Sequence, residues 1–188
     1  MMNLTKENPP EHIEVGGKAY RIKTWFKYWL RFQQICNGKD EERNFDFLFV
    51  DEIPEDKVAA LAGLMAFASP QSLLPRSFGE KGPKILDYTV DADLIYAAFV
   101  QQYGIDLMTG KGVDGKPLHW HKFLALMDGL RETKLTDVMD LRSYDSTDRT
   151  TYEQWREKSK ETWSLEGLGS LDDGDAARML EEFNERFE

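Results

Sequence analysis

The sequence holds a single cysteine, Cys36, and three histidines among its 188 residues. One cysteine cannot form an internal disulfide or supply the cysteine-rich ligand set of a structural zinc site. We interpret Cys36 as a small buried apolar side chain. Long apolar runs are also missing, since no stretch of about 18 apolar residues could span a bilayer. The first residues lack the basic and then apolar pattern of a signal peptide. These absences predict a soluble protein of a reducing cytoplasm that has no membrane partner.

Positive charge is scarce as well, because the net charge is −10. This balance argues against a general affinity for nucleic acid, since such binding depends on Lys and Arg that neutralise phosphates. The charge is unevenly placed, however: residues 16–39 carry six basic and no acidic residues, whereas residues 40–56 carry eight acidic residues. Either the acidic segment packs over the basic helix, or that helix docks an acidic partner. A nucleic-acid contact through Lys23, Lys27 and Arg31 is a further alternative.

The periodicity of apolar residues predicts a mainly α fold with a short N-terminal β-hairpin. Gly16 and Gly17 fit the tight turn of a hairpin at about residues 12–22. Helices are predicted from Thr24 as N-cap to about Asn37, from Pro54 to Ser69, from Val90 to Tyr103, from Pro117 onward, from Lys134 to Arg142, and from Thr150 or Thr151 to Trp163. In the Pro54 helix, the apolar residues at helical spacing are Val58, Leu61, Leu64, Met65 and Ala68.

The chain is long enough for one sizeable core but short for two ordinary domains. We therefore predict a single α-rich globular domain over residues 1–163. Residues 164–188 are predicted to form a linker and an acidic amphipathic helix with an apolar stripe of Ala176, Met179, Leu180, Phe183 and Phe187. This helix either packs on the domain or serves as a detachable recognition helix.

Two histidines flank a tryptophan in "LHWHKFLALMDGL", residues 118–130. His119 and His121 are two positions apart, roughly 200° around a helix axis, so a regular helix cannot present both to one metal ion. We expect His119 to lie beside the core and bond a backbone group, and His121 to face solvent. Accordingly, no catalytic residue, metal or cofactor is predicted. Asp106 is expected to cap a turn, and a hydrolase that uses both histidines to bind a metal is a remote alternative.

The glycine-rich segment before these histidines partly matches a phosphate-binding loop. Gly110 to Lys116 has the spacing Gly-x4-Gly-Lys, but Pro117 stands where a P-loop needs Ser or Thr, and a helix rather than a strand precedes it. We interpret the segment as a flexible surface turn.

Three blocks, "DADLIYAAFVQQYGIDL", "LHWHKFLALMDGL" and "TKLTDVMDLRSYD", resemble the bacteriophage gene-product-fifteen family of siphophage tail-gene clusters. The resemblance covers residues 87–145 and extends over residues 20–70. Two departures are His121, where a second tryptophan is common, and the long glycine-rich loop. The family motif is matched by Ala97, Ala98, Phe99, Tyr103, Gly104, Ile105, Asp106, Leu107, His119, Trp120, Lys122, Phe123, Leu126, Gly129, Leu130 and Arg142.

The resemblance implies a function through gene position, which is an argument by association. It implies a non-enzymatic tail assembly factor, a chaperone that coats the tape-measure protein in the host bacterial cytoplasm before the major tail tube protein polymerises. Self-association along the client is expected, and a structural tail or head-tail connector component of the virion is the alternative. The expected contact surfaces are Trp25, Trp29 and Phe32, or Met179, Leu180, Phe183 and Phe187.

Overall fold

A computed structural model describes residues 5, 8–38, 44–70, 84–143 and 151–165, with the backbone alone at 151–153. Contacts divide the described chain into two compact units. The first comprises the described residues up to 70 together with residues 88–133, and the second comprises residues 84–87, 134–143 and 151–165. The single domain over residues 1–163 stays a prediction. The predicted C-terminal helix lies outside the described residues.

The predicted hairpin is confirmed. Strand β1 (His12–Val15) pairs antiparallel with β2 (Lys18–Arg21), with Ile13 opposite Tyr20. Gly16 and Gly17 have φ angles of +59° and +78°, which glycine adopts without a Cβ clash. Alternate residues of β1 are buried, so one face of the hairpin packs on the core.

Helix α1 (Phe26–Cys36) forms where its aromatic periodicity predicts, but its start differs. Its N-cap is Trp25, which makes no side-chain cap bond, and the carbonyl of Thr24 instead accepts the backbone N–H of Trp120 at 2.7 Å. Thr24 is therefore not the cap, because this pairing with a segment far along the same chain holds its backbone. The helix ends before Gly38, whose φ is +70°. Cys36 is exposed, contrary to prediction.

Helix α2 (Lys57–Ala68) begins later than predicted, because Asp56 rather than Pro54 starts it. The Asp56 carboxylate accepts the Ala59 N–H at 2.9 Å, a favourable N-cap bond. Of the apolar residues at helical spacing, Val58 and Met65 are exposed. The residues that α2 buries are Ala60, Leu64, Phe67 and Ala68.

Helix α3 (Ala92–Tyr103) ends at Gly104 in a left-handed conformation, as predicted. Helix α4 (Trp120–Asp128) was predicted to begin at Pro117, which is wrong. Pro117 instead forms an antiparallel bridge with Lys111 that closes the glycine-rich loop. Helix α4 therefore begins only after His119, which is its N-cap.

Stacked aromatic rings form the core of the first unit, in which α1 packs against α4. Phe123 lies at its centre, with ring centroids 4.9 Å from Phe26, 5.3 Å from Phe99 and 5.5 Å from Trp120. The largest fully buried side chains of this unit are Trp29, Trp120, Phe32, Phe99, Phe123, Leu48 and Leu64.

The second unit contains α5 (Lys134–Ser143) and α6 (Thr151–Trp163), which pack against each other and confirm both predicted helices. Leu135 and Val138 of α5 are fully buried. Among the described residues of the whole chain, no helix is both long enough and apolar enough to cross a membrane.

Candidate functional site

His119 closes the N-terminus of α4 with its side chain. Its Nδ1 accepts the backbone N–H of His121 at 3.0 Å, so the ring proton belongs on Nε2, which donates to the carbonyl of Pro10 at 3.0 Å. The ring thus satisfies one of the free N–H groups of the helix and holds the segment before the hairpin against it. The expectation that His119 bonds a backbone group is confirmed.

His121 is buried, so the expectation that it faces solvent is wrong. Only 4% of the residue is exposed, and its ring stacks on Phe67 with centroids 4.3 Å apart. Its Nε2 bonds the carbonyl of Phe67 at 2.9 Å, whereas its buried Nδ1 has no hydrogen-bond partner. Helix α4 begins only one residue before His121, and this late start turns the ring toward α2.

The side chains at the start of α4 cap the C-terminus of α2. The indole N–H of Trp120 donates to the carbonyl of Ala68 at 2.9 Å, next to the bond from His121 to Phe67. The last carbonyls of a helix have no partner within it, so these two donors satisfy groups that would otherwise be buried without a bond. The His-Trp-His sequence is therefore a joint between two helices.

Burial keeps both histidines neutral. Removal from water is the main cause that lowers the pKa of His119 from 6.5 to about 4, and the neighbouring His121 and Lys122 act in the same direction. Burial also lowers the pKa of His121. The described residues contain no group of three or more His, Cys, Asp or Glu that could hold a metal ion. Since backbone groups engage both ring nitrogens of His119, the geometry does not fit a zinc site.

Trp25 packs directly on the glycine-rich loop. Its indole N–H donates to the carbonyl of Gly110 at 2.7 Å, and a Cβ built on Gly110 would lie 2.4 Å from Cζ2 of Trp25. Gly110 is buried with φ +70°, so this part of the segment is packed and is not a free surface turn. The glycines indicated unusual backbone angles, but nothing in the sequence indicated the tryptophan.

The predicted contact surface on α1 lies largely in the core. Trp29 and Phe32 are 0% and 1% exposed; Trp29 stacks on Phe67 and meets the Phe32 ring edge to face. They offer no free surface in this fold, which corrects the expectation for these two residues, and Trp25 is half-buried. The other predicted contacts, Met179, Leu180, Phe183 and Phe187, lie outside the described residues.

The basic side chains of α1 and of Lys23, which precedes it, lie over aromatic rings. Lys27 Nζ is 5.3 Å from the ring centroid of Trp25 and donates to the carbonyl of Met108 at 2.8 Å. The corresponding distances are 5.5 Å from Lys23 to Tyr28 and 4.8 Å from Arg31 to Phe47. These charges therefore already stabilise the fold through cation–π contacts. Between the basic and acidic segments, Lys18 pairs with Glu52.

Several motif residues have structural contacts. The Tyr103 hydroxyl donates to the carbonyl of Leu126 at 2.8 Å, and Gly129 leaves room for it, since a Cβ there would lie 2.9 Å from the hydroxyl. Asp106 accepts the backbone N–H of Met108 at 2.8 Å, which confirms its predicted cap.

Arg142, the last motif residue, is 4% exposed within the second unit. Its guanidinium donates to the carbonyls of Trp163 at 2.6 Å and Ile85 at 2.9 Å. It thereby joins the end of α6 to the residues 84–87, and its role is to position these segments.

Two apolar surfaces are exposed on the first unit. One is the outer face of α2, formed by Val58, Ala62, Met65 and Ala66. The other is a groove of about 350 Å³ between the glycine-rich loop and α4, which we call the loop groove and which is lined by Ile105, Gly112, Val113, Asp114, Pro117, Leu118, Lys122, Ala125 and Leu126. Sequence reasoning placed neither of them, because both depend on which faces the packing leaves open.

Comparison with protein families matches residues 6–165 to the family described as Bacteriophage Gp15 protein. No curated protein and no solved structure matches the chain. Membership of this family supports a structural or assembly role in a phage. The family is not known for an enzymatic activity. Because the match spans most of the 188 residues, the chain belongs to the bacteriophage Gp15 protein family.

Proposed function

We propose that this protein is a non-enzymatic assembly factor of siphophage tails, a chaperone that binds the tape-measure protein before the tail tube polymerises around it. The observation that carries the proposal is the exposed apolar face of α2. The gene-cluster setting implied by the family supports the choice of client.

Helix α2 is apolar on almost every side, since its sequence "KVAALAGLMAFA" holds one charged residue. A helix of this composition is normally buried all round. Here the hairpin covers one face, where Gly63 lies against Ile13, while Val58 and Met65 on the opposite face are 82% and 54% exposed. A contiguous exposed apolar face of this kind is typical of a binding surface.

A long helical client presents apolar stripes of its own, which aggregate in water when nothing covers them. An apolar helix face can pair with such a stripe by side-chain packing. The net charge of −10 then keeps the complex in solution. The α2 face takes the place of the buried Trp29 and Phe32 as the expected contact surface.

Co-expression with the tape-measure protein of the same phage tests the proposal. Affinity capture and size-exclusion chromatography should give a soluble complex, whereas the tape-measure protein alone should aggregate. The double variant Val58→Gln and Met65→Gln removes apolar surface without a charge change, and should lower capture by about tenfold or more. Val100→Gln is the matched control, since Val100 is 44% exposed on α3. Elution of this protein apart from an aggregated tape-measure protein would contradict the proposal.

A structural component of the virion, in the tail or the head-tail connector, is the second candidate, favoured by the same family assignment. Mass spectrometry of purified particles separates the two, because a chaperone leaves before the particle is complete. Stoichiometric amounts of this chain in mature virions would favour the structural component.

A further inference from the structure

The loop groove combines an apolar floor with a basic rim. Its floor includes Leu118, which is buried, and Leu126, which is half-buried, while Val113 projects from the loop and is 85% exposed. The groove therefore offers an open apolar surface at which a side chain of a partner could be buried.

Lys122 lines the groove, and two further lysines adjoin the lining residues Gly112 and Pro117 in the sequence. Lys111 and Lys116 belong to the glycine-rich loop, and Lys122 on α4 lies 3.7 Å from Asp114 across the groove. The Asp114 carboxylate accepts the backbone N–H of Lys116, and this bond, with the nearby lysine charges, lowers its pKa. When Asp106, the sequence neighbour of the lining residue Ile105, is counted with Asp114, the three lysines leave an excess of one positive charge around the groove, in a chain whose net charge is −10. Such a surface selects an acidic partner with apolar anchors.

The chain itself contains a segment of this chemistry. Residues 172–188 hold seven acidic residues against two arginines. Its apolar residues Met179, Leu180, Phe183 and Phe187 have the spacing of one helix face, and Glu181, Glu182 and Glu185 alternate with them. Acidic groups beside apolar anchors complement the lysines beside the apolar floor.

We infer that the loop groove binds residues 172–188 of a second copy of this chain. The anchors Leu180 and Phe183 enter the apolar floor, and the flanking glutamates pair with the lysines of the rim. Donor segment and acceptor groove are different parts of the sequence, so the contact is heterologous and each copy can both give and receive a segment. The groove lies outside the α2 face, because the two share no residue.

Head-to-tail association of this kind builds an open-ended linear oligomer. The inference rests on the proposed function for its purpose, since a row of copies suits a client that is itself long. Its physical basis, the charge and apolar complementarity of groove and segment, does not depend on the client.

Sedimentation velocity of the full chain over a range of concentrations tests the inference. The wild-type chain should form a concentration-dependent series of oligomers that salt weakens, because the rim contacts are ionic. Val113→Asp in the groove and Phe183→Asp in the segment should each weaken association by about tenfold or more. Met108→Asp is the matched control, since Met108 is 74% exposed, lies outside the groove lining and receives the same charge change.

Mixing the two variants identifies the second copy as the source of the segment. The Val113→Asp chain retains an intact segment and the Phe183→Asp chain retains an intact groove, so an equimolar mixture should form dimers that neither variant forms alone. A mixture that stays monomeric would overturn the inference. A wild-type chain that is monomeric at every concentration would also overturn it, as expected if each segment binds its own groove or none.

Client capture distinguishes failure of this inference from failure of the proposed function. Val113→Asp should weaken self-association by about tenfold or more and retain capture of the tape-measure protein by the α2 face. The double variant Val58→Gln and Met65→Gln should show the reverse. For the wild-type chain, oligomers that capture no client would refute the chaperone function alone, and client capture by a strictly monomeric wild-type chain would refute the head-to-tail contact alone.

Discussion

Trp25 and Gly110 are 85 positions apart, yet the tryptophan indole donates a hydrogen bond to the glycine carbonyl at 2.7 Å. The ring occupies the space that any Cβ on Gly110 would need, with Cζ2 at 2.4 Å from the built position. This contact holds the glycine-rich loop against the start of α1. Only glycine at this position permits so close an approach of the tryptophan ring.

Gly110→Ala should destabilise the protein by about 2–4 kcal/mol, because it adds left-handed backbone strain to a steric clash with Trp25. Thermal unfolding followed by circular dichroism measures the loss. Gly115→Ala is a close control, since Gly115 has φ +71° but a Cβ there meets nothing within 4 Å. It should cost only the backbone strain, about 1 kcal/mol. Equal losses in the two variants would show that the Trp25 contact contributes little.

Stability should fall as pH decreases from 6.5 toward about 4. The folded-state pKa of His119 lies below its ordinary value, so the unfolded chain binds the proton more readily in this window and protonation favours unfolding. Above pH 6.5 the ring is neutral in both the folded and the unfolded chain, so His119 does not reduce the free energy of unfolding there. The reduction in the free energy of unfolding at the acid end of this pH window is on the order of 3 kcal/mol.

Urea unfolding at a series of pH values measures this slope. His119→Asn keeps an oxygen that can cap α4 and removes the titrating ring, so it should flatten the slope in this window. His12→Asn, at an exposed position of β1, controls for the substitution itself. An unchanged slope in His119→Asn would assign the acid sensitivity to other groups.

Arg142→Met should cost about 3 kcal/mol, because it removes two charge-assisted bonds and leaves the carbonyls of Trp163 and Ile85 without this donor. Hydrogen exchange should show faster exchange near the end of α6 than elsewhere in the second unit. Arg131→Met is the control, since that side chain is exposed. Wild-type protection at the end of α6 would contradict the positioning role of Arg142.

Trp120→Phe should destabilise the C-terminus of α2 more than His121→Phe does. Each change removes one donor to a carbonyl of that terminus, at about 1–3 kcal/mol. However, His121→Phe also removes the buried Nδ1 that has no partner, and this gain offsets part of its cost. Hydrogen exchange in the last turn of α2 and urea unfolding together measure the difference. A larger loss in His121→Phe would indicate that Nδ1 is bonded after all.

Most of the helices were predictable because their determinants are local. The end of α3 at Gly104 follows from a left-handed residue that glycine favours, and the hairpin follows from the pair Gly16-Gly17. Helix starts were less predictable. Thr24 and Pro117 are both residue types that favour helix starts, but the backbone of Thr24 pairs with Trp120, far along the chain, and Pro117 forms a bridge with Lys111 that closes the glycine-rich loop.

The candidate surfaces were less accessible to sequence reasoning than the helices were. The aromatic periodicity of α1 marked Trp29 and Phe32 as important but could not show whether they are core or surface, and they are core. In α2 nearly every position is apolar, so periodicity could not indicate that Val58 and Met65 lie on the exposed face.

The sequence by itself determined the class of the fold, the position of its helices and its family, because turn residues, apolar spacing and motif order are all properties of neighbouring positions. The tertiary structure alone decided that His121 is buried on Phe67, that Trp25 lies on Gly110, and that α2 keeps an apolar face in water. These facts depend on contacts between segments far apart in the chain. Such contacts are set by the packing of the whole unit, which no local pattern encodes.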